Sequence, residues 1–151
     1  MAEPHPDDLA AVRHWFQTLA DHVQAVDFVA ARPIFAEDMI AFGTFTDFMT
    51  GRDEAERVQW RNVWHHIDGF RFRPDIRAIV SPDRLQAVGM GVFDSTGYRQ
   101  DGTPYDRPGR TTVVLVRPSP DASFVAQHTH MSLFRDVPTR SFRDKPEKPA
   151  S

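Results

Sequence analysis

His128 and His130 are the first side chains in this sequence that could do chemistry together. Two residues apart on a strand, they share one face, where they could exchange protons with a bound molecule or hold a metal ion if a third ligand approached. The strand divides into His128, His130, Ser132 and Phe134 on one side and Val125, Gln127, Thr129, Met131 and Leu133 on the other. The second set is the more apolar; either face can be the inner one, and a bulge would exchange them. No metal and no cofactor is expected. Asp47 is a carboxylate that could act as a base, or simply a turn aspartate in water. Arg110 alternates with Thr112 and Val114, so if Val114 points inward all three do, and Arg110 would suit a carboxylate or enolate; at the start of its strand it can also reach water. His128, His130, Asp47 and Arg110 are the catalytic candidates. His65 and His66 close a helix, where the helix dipole favours positive charge, and need no further role.

The aromatic residues suggest what such groups would act on. The chain has 12 Phe and 3 Trp against 2 Tyr, and rings without a polar handle suit an apolar core or pocket. Trp15, Trp60, Trp64 and Phe42 can wall a space for a ring-containing molecule, with Thr112, Val114, Gln127 and Met131 completing the lining. The alternative is that the tryptophans only fill the core.

Composition removes several classes of function. With 18 Lys+Arg against 21 Asp+Glu the net charge is −3, so there is no basic footprint for nucleic acid. The absence of cysteine removes disulfides, thiol nucleophiles and cysteine metal sites. No stretch approaches the roughly 18 apolar residues of a membrane span, and the acidic MAEPHPDD start has no leader pattern, so a cytoplasmic protein without a membrane partner is expected.

The elements that must position these groups follow from periodicity. Leu9, Val12, Phe16, Leu19, Val23 and Val26 recur at three and four residues, the stripe of a long first helix from Asp8. A short second helix is predicted over Phe28 to Phe35, tolerating Pro33. Met39 to Phe42 and Phe45 to Met49 read as short strands around Gly43-Thr44. Thr50 and Asp53 suggest a capping box opening a third helix that closes at Gly69. Strands are predicted near 70–80, 85–96, 110–117 and 124–134, with 97–109 a long hairpin connection able to cover a pocket mouth. Residues 1–7 are read as a flexible N-terminus, 8–136 as one domain and 137–151 as a polar, disordered tail.

The segment DFVAARPIFAEDM at Asp27 to Met39, TGRD at Thr50 to Asp53 and HTHMS at His128 to Ser132 resemble the SnoaL-like branch of the nuclear transport factor 2 superfamily. The resemblance implies an α+β fold: a cone-shaped, curved antiparallel sheet with three helices packed on its concave face, and often a homodimer through the outer sheet face. It implies a central pocket for a small hydrophobic or aromatic metabolite, used in cofactor-free isomerase, dehydratase or cyclase chemistry, or in a non-catalytic binding or association module. The ketosteroid isomerase member of the superfamily uses a tyrosine, a carboxylate base and a protonated aspartic acid. These positions fall on Trp15, Gly43 and Val114, so steroid isomerase chemistry is not expected. In the resembled proteins the position of Met131 faces the pocket.

Overall fold

The computed structural model describes residues 3–134; the tail expected at 137–151, like Met1 and Ala2, lies outside them. The first helix, α1 (Pro6–Ala25), starts two residues before the expected Asp8 because His5 caps it, accepting the Asp7 N–H at 3.1 Å, and Pro6 occupies the first turn. It ends at Val26, whose left-handed backbone (φ 53°) returns N–H groups to the His22 and Val23 carbonyls. Val12, Trp15, Phe16, Leu19 and Val23 form its buried stripe. The second helix, α2 (Phe28–Ala31), is capped by Asp27 and passes into a 3₁₀ turn at Arg32–Ile34 that accommodates Pro33.

The third helical region is irregular. It comprises α3 (Arg52–Ala55), a wide π turn (Glu56–Trp60), α4 (Arg61–Val63) and a 3₁₀ turn (Trp64–His66). The expected Thr50–Asp53 capping box does not form. Glu54 reaches back to the Thr50 N–H at 2.6 Å, while Asp53 is drawn to the Arg32 guanidinium at 2.5 Å.

Among the described residues eight strands make one open curved sheet: β1 (Phe35–Phe42), β2 (Phe48–Thr50), β3 (Asp68–Phe72), β4 (Arg77–Val80), β5 (Gln86–Tyr98), β6 (Pro104–Asp106), β7 (Gly109–Val116) and β8 (Val125–Leu133). The order is β2-β1-β8-β7-β5-β3, with β4 and β6 also on β5. The α+β architecture is as expected. One pair, β1 with β8, is parallel, so the sheet is mixed. Ile34 before β1 and Phe124 before β8 border the same cleft, so both strands set out from one end of the sheet. Among the described residues no helix is long and apolar enough to cross a membrane.

Side-chain alternation decides which residues meet the helices. On β5 the buried set is Ala87, Gly89, Gly91, Phe93, Ser95 and Gly97, and on β7 it is Gly109, Thr111, Val113 and Leu115. The glycine at position 89 makes room for a ring, since a Cβ there would lie 2.7 Å from Phe16 Cε2. Phe16 then meets Phe72 edge to face, with centroids 4.7 Å apart.

A buried ion cluster ties α1 to this sheet. Asp8, 1% exposed, accepts from Arg84 Nε and Nη2 at 2.8 and 3.0 Å and from Arg117 Nη2 at 2.6 Å. The Arg84 hydrogen bonds above all, with the one from Arg117, hold its carboxyl at about 2, against the resistance of burial. Removing one member of such a cluster strands the others without counter-charge. Asp8→Ala should therefore cost about 3–5 kcal/mol in chemical denaturation. Because the folded pKa is lowered, the contribution is complete above the ordinary carboxylate value of about 4 and is lost as pH falls towards 2. The variant's stability should flatten across that window, and an unchanged acid limb would refute the assignment.

Candidate functional site

Between α1, the π turn with α4, and the inner face of the sheet lies a cavity walled by aromatic rings. Trp60 and Trp64 stack at 5.1 Å and 14°, Trp60 leans on Phe35 at 4.9 Å, and Trp64 stacks on Phe28 at 5.3 Å. Phe70 and Phe93 close the far side at 5.0 Å. Met39, Met49 and Met131 fill the gaps with flexible side chains. The space open to the centre of a water molecule is about 40 Å³, room for a few waters; a ring, which needs a cavity on the order of 150 Å³, enters only as the flexible methionines move aside.

The π turn shapes this wall. In a regular α-helix the fifth residue after Ala55 turns away from it, whereas the wider turn brings Gln59 and Trp60 round to flank it. Both are buried, and both line the cavity with Ala55.

Four polar side chains interrupt the apolar lining: Thr44, Gln59, Arg107 and Thr129, each less than 9% exposed. Gln59 Nε2 donates to Thr44 Oγ1 at 3.0 Å, and Arg107 Nη2 donates to the same oxygen at 3.2 Å. Arg107 Nη1 reaches Ser95 Oγ at 3.5 Å, while Ser95 Oγ donates to the Arg107 carbonyl at 2.6 Å. Gln59 Oε1 is buried without a partner. Burial pulls the Arg107 guanidinium below its ordinary pKa, yet an arginine stays charged at neutral pH. Arg107 is the one ionisable side chain among the described residues lining the cavity.

Arg107 arrives there from the segment predicted to cover a pocket mouth. Its backbone N–H donates to the Ser95 carbonyl at 2.8 Å, which continues the β5 ladder beyond β6. Ser95 faces inward, so its neighbour across the ladder does too. Gly43 completes the arrangement. A Cβ on it would sit 2.2 Å from Gln59 Oε1, so glycine leaves the space that the carboxamide fills.

The sequence-derived candidates divide between the two faces. Trp60, Trp64 and Met131 line the cavity. Phe42 borders its rim, with its ring among Phe48, His128 and His130. Trp15 is core: it donates from Nε1 to the Ile34 carbonyl at 2.9 Å and packs on Phe16 and Phe35 away from the cavity. Thr112, Val114 and Arg110 occupy the outward parity of β7, opposite to the expected one, and Arg110 stacks on the Phe134 ring at 4.0 Å. Val113, not Val114, is the inward neighbour, so the position compared with the second oxyanion residue faces away from the cavity. A register shift between Ala126 and His128 leaves Gln127 exposed rather than inward.

His128 and His130 pair across β7 with Val114 and Thr112 and share their outer face, and His128 Nδ1 meets the Ile40 carbonyl at 2.6 Å. Asp47 is an exposed bend residue outside the cavity. Arg110, His128 and His130 therefore share the outer face of β7 and β8, Asp47 lies apart, and none of the four lines the cavity; among the described residues no group of three potential metal ligands occurs. Gln59 and Arg107 are the residues that sequence reasoning missed. Counting back by twos from the apolar Leu115 and Val113 through Thr111 and Gly109 reaches Arg107.

Residues 12–136 match the family model of the SnoaL-like domain. A ketosteroid isomerase-like protein from Erwinia carotovora atroseptica superposes with a TM-score of 0.72 at 15% identity, covering 87% of this chain and 99% of that one. A protein assigned as a dehydratase of the NTF2-like family from Streptomyces avermitilis gives 0.68 at 15% identity, covering 85% and 97%. One from Novosphingobium aromaticivorans, assigned as a scytalone dehydratase, gives 0.70 at 14% identity, covering 89% and 90%. At these identities the likeness is one of fold. A comparison with curated proteins returns no match.

The fit of Gln59 against residue 43 is open to a direct check. Gly43→Ala should displace the carboxamide and destabilise the fold by about 1–3 kcal/mol, and adding Gln59→Ala should recover most of that loss. Additive losses in denaturant titrations would mean that the two positions do not compete for the same space.

Proposed function

Because this chain belongs to the SnoaL-like family, within the nuclear transport factor 2-like superfamily, we propose that it binds a small hydrophobic or aromatic molecule in its central cavity. The observation that carries the reading is the stacked Trp60–Trp64 pair forming one wall of a space whose lining is otherwise almost wholly apolar. A flat ring entering beside this pair exchanges water contact for contact with aromatic and methionine side chains.

The names of the similar structures, isomerase-like and dehydratase, suggest acid–base chemistry. Such chemistry needs a base in reach of the reacting atom. The described lining offers no carboxylate and no imidazole, which favours a binding protein; isomerisation, dehydration or cyclisation would need its base from the ligand or from water.

The outer sheet face suits a second copy of the chain. A cross-strand row of Ile40, His128, Val114, Val88 and Ile79 runs over the side away from the helices, with Ile40 43% and Ile79 47% exposed. This row supports a homodimer.

Two measurements bear on these readings. Tryptophan fluorescence titrated with a panel of one- and two-ring aromatics should show saturable binding that Trp64→Ala weakens at least tenfold. Alanine at Asp47, Arg110, His128 or His130 should leave it within twofold. No saturable binding by any member of the panel, or an equal loss from the four outer variants, would refute the cavity assignment. Light scattering should return twice the chain mass for the wild type and the single mass for Ile40→Lys; a monomeric wild type would refute the dimer.

A further inference from the structure

The polar end of the cavity carries a charge that no described carboxylate answers. The contrast with Arg117 is direct. Both arginines are buried, at 7% and 8% exposure, but Arg117 lies 2.6 Å from the Asp8 carboxylate, whereas Arg107 has only the hydroxyls of Thr44 and Ser95, at 3.2 and 3.5 Å. Among the described residues, Tyr105 is the one ionisable neighbour acting on Arg107. Hydroxyl dipoles replace part of the lost hydration of a guanidinium and none of the counter-charge. A residue needed only to join Thr44 to Ser95 would not have to be charged.

A second unanswered group lies beside it. Gln59 Oε1 is buried without a partner, although the same carboxamide shares Thr44 Oγ1 with Arg107. The cavity thus offers, next to its aromatic walls, a guanidinium bonded only to hydroxyls, with no described counter-charge, and a carboxamide oxygen without a partner. Buried polar groups are nearly always paired and buried charges nearly always answered, so the free Gln59 oxygen and the uncompensated Arg107 charge point to a ligand.

We propose that the molecule bound here is a small aromatic carboxylate, its anionic group held by Arg107 and a hydroxyl or amine hydrogen elsewhere on the ring accepted by Gln59 Oε1. This rests on the reading of the cavity as a ring-binding site and adds the charge and the second polar substituent. The planar guanidinium fork matches a carboxylate, and the apolar surroundings strengthen the attraction relative to water. Discrimination follows: a neutral ring of the same shape leaves the guanidinium as it is in the empty protein, and a cationic ring adds repulsion. The Arg107 charge is also a burden on the empty fold, of the kind that functional sites carry at the expense of stability.

The test compares benzoate, 3-hydroxybenzoate and the neutral isostere benzamide by calorimetry on the whole chain at pH 7. Benzoate should bind at least tenfold more tightly than benzamide, and 3-hydroxybenzoate more tightly again. In Arg107→Met the preference for benzoate should vanish while benzamide binding is retained, and the unfolding midpoint of the empty variant should rise. Benzamide binding as tightly as benzoate to the wild type would overturn the anion assignment and leave the apolar site standing. Binding by none of the three would overturn both. A lower midpoint for the empty variant with selectivity unchanged would assign Arg107 to holding Thr44 and Ser95 and overturn the proposal. The wild-type comparison decides the matter even if the variant does not fold.

Discussion

Side-chain alternation along β5 and β7 governs the rest of this structure. A curved sheet covered by helices on one side must send one parity of every strand into the core and the other out. Here the inward parity runs through Gly89, Phe93 and Ser95 on β5 and through Thr111, Val113 and Leu115 on β7. It seats Phe16 over the small residues. Continued past Gly109 and Pro108, it carries Arg107 into the cavity opposite Ser95. Shifting β7 by one residue would exchange Arg107 for Asp106 or Pro108 and turn Val113 and Leu115 to water, so the register that builds the core also installs the charge.

Most elements were legible from the chain because their signals are strong, but the strand expected at 70–80 is two, β3 and β4, and β6 lies within the connection expected at 97–109. The stripe from Val12 to Val23 fits only a helix, and the strands between Phe70 and Phe134 are separated by clear turn residues. Parity on β7 was not legible. Arg110 to Val116 reads RTTVVLV, with Val113 and Leu115 in one phase and Val114 and Val116 in the other, so hydrophobicity alone cannot choose the inner face. On β8 the shift at Gln127 breaks the alternation that would have placed it inward with Met131. Gln59 was hidden for another reason: only the π turn brings it round beside Trp60, and no residue in ERVQW announces such a turn.

The cavity departs from the ketosteroid isomerase arrangement in an orderly way. At the position compared with the catalytic base there is Gly43, and the carboxamide of Gln59 occupies the space a side chain there would need. At the tyrosine position Trp15 commits its one N–H to the Ile34 carbonyl. Charge reaches the cavity from elsewhere, on a guanidinium that can attract and orient an anion but, unlike a carboxylate, is a poor proton acceptor. On the proposed reading, the same sheet and helices would serve recognition where ketosteroid isomerase uses them for proton transfer, with function residing in the site rather than in the fold.

The most direct test of this account is a crystal structure of the protein with benzoate. The account predicts the ring against the Trp60–Trp64 wall and the carboxylate oxygens within hydrogen-bonding distance of Arg107 Nη1 or Nη2. A carboxylate turned to solvent, with Arg107 still bonded only to Thr44 and Ser95, would contradict it.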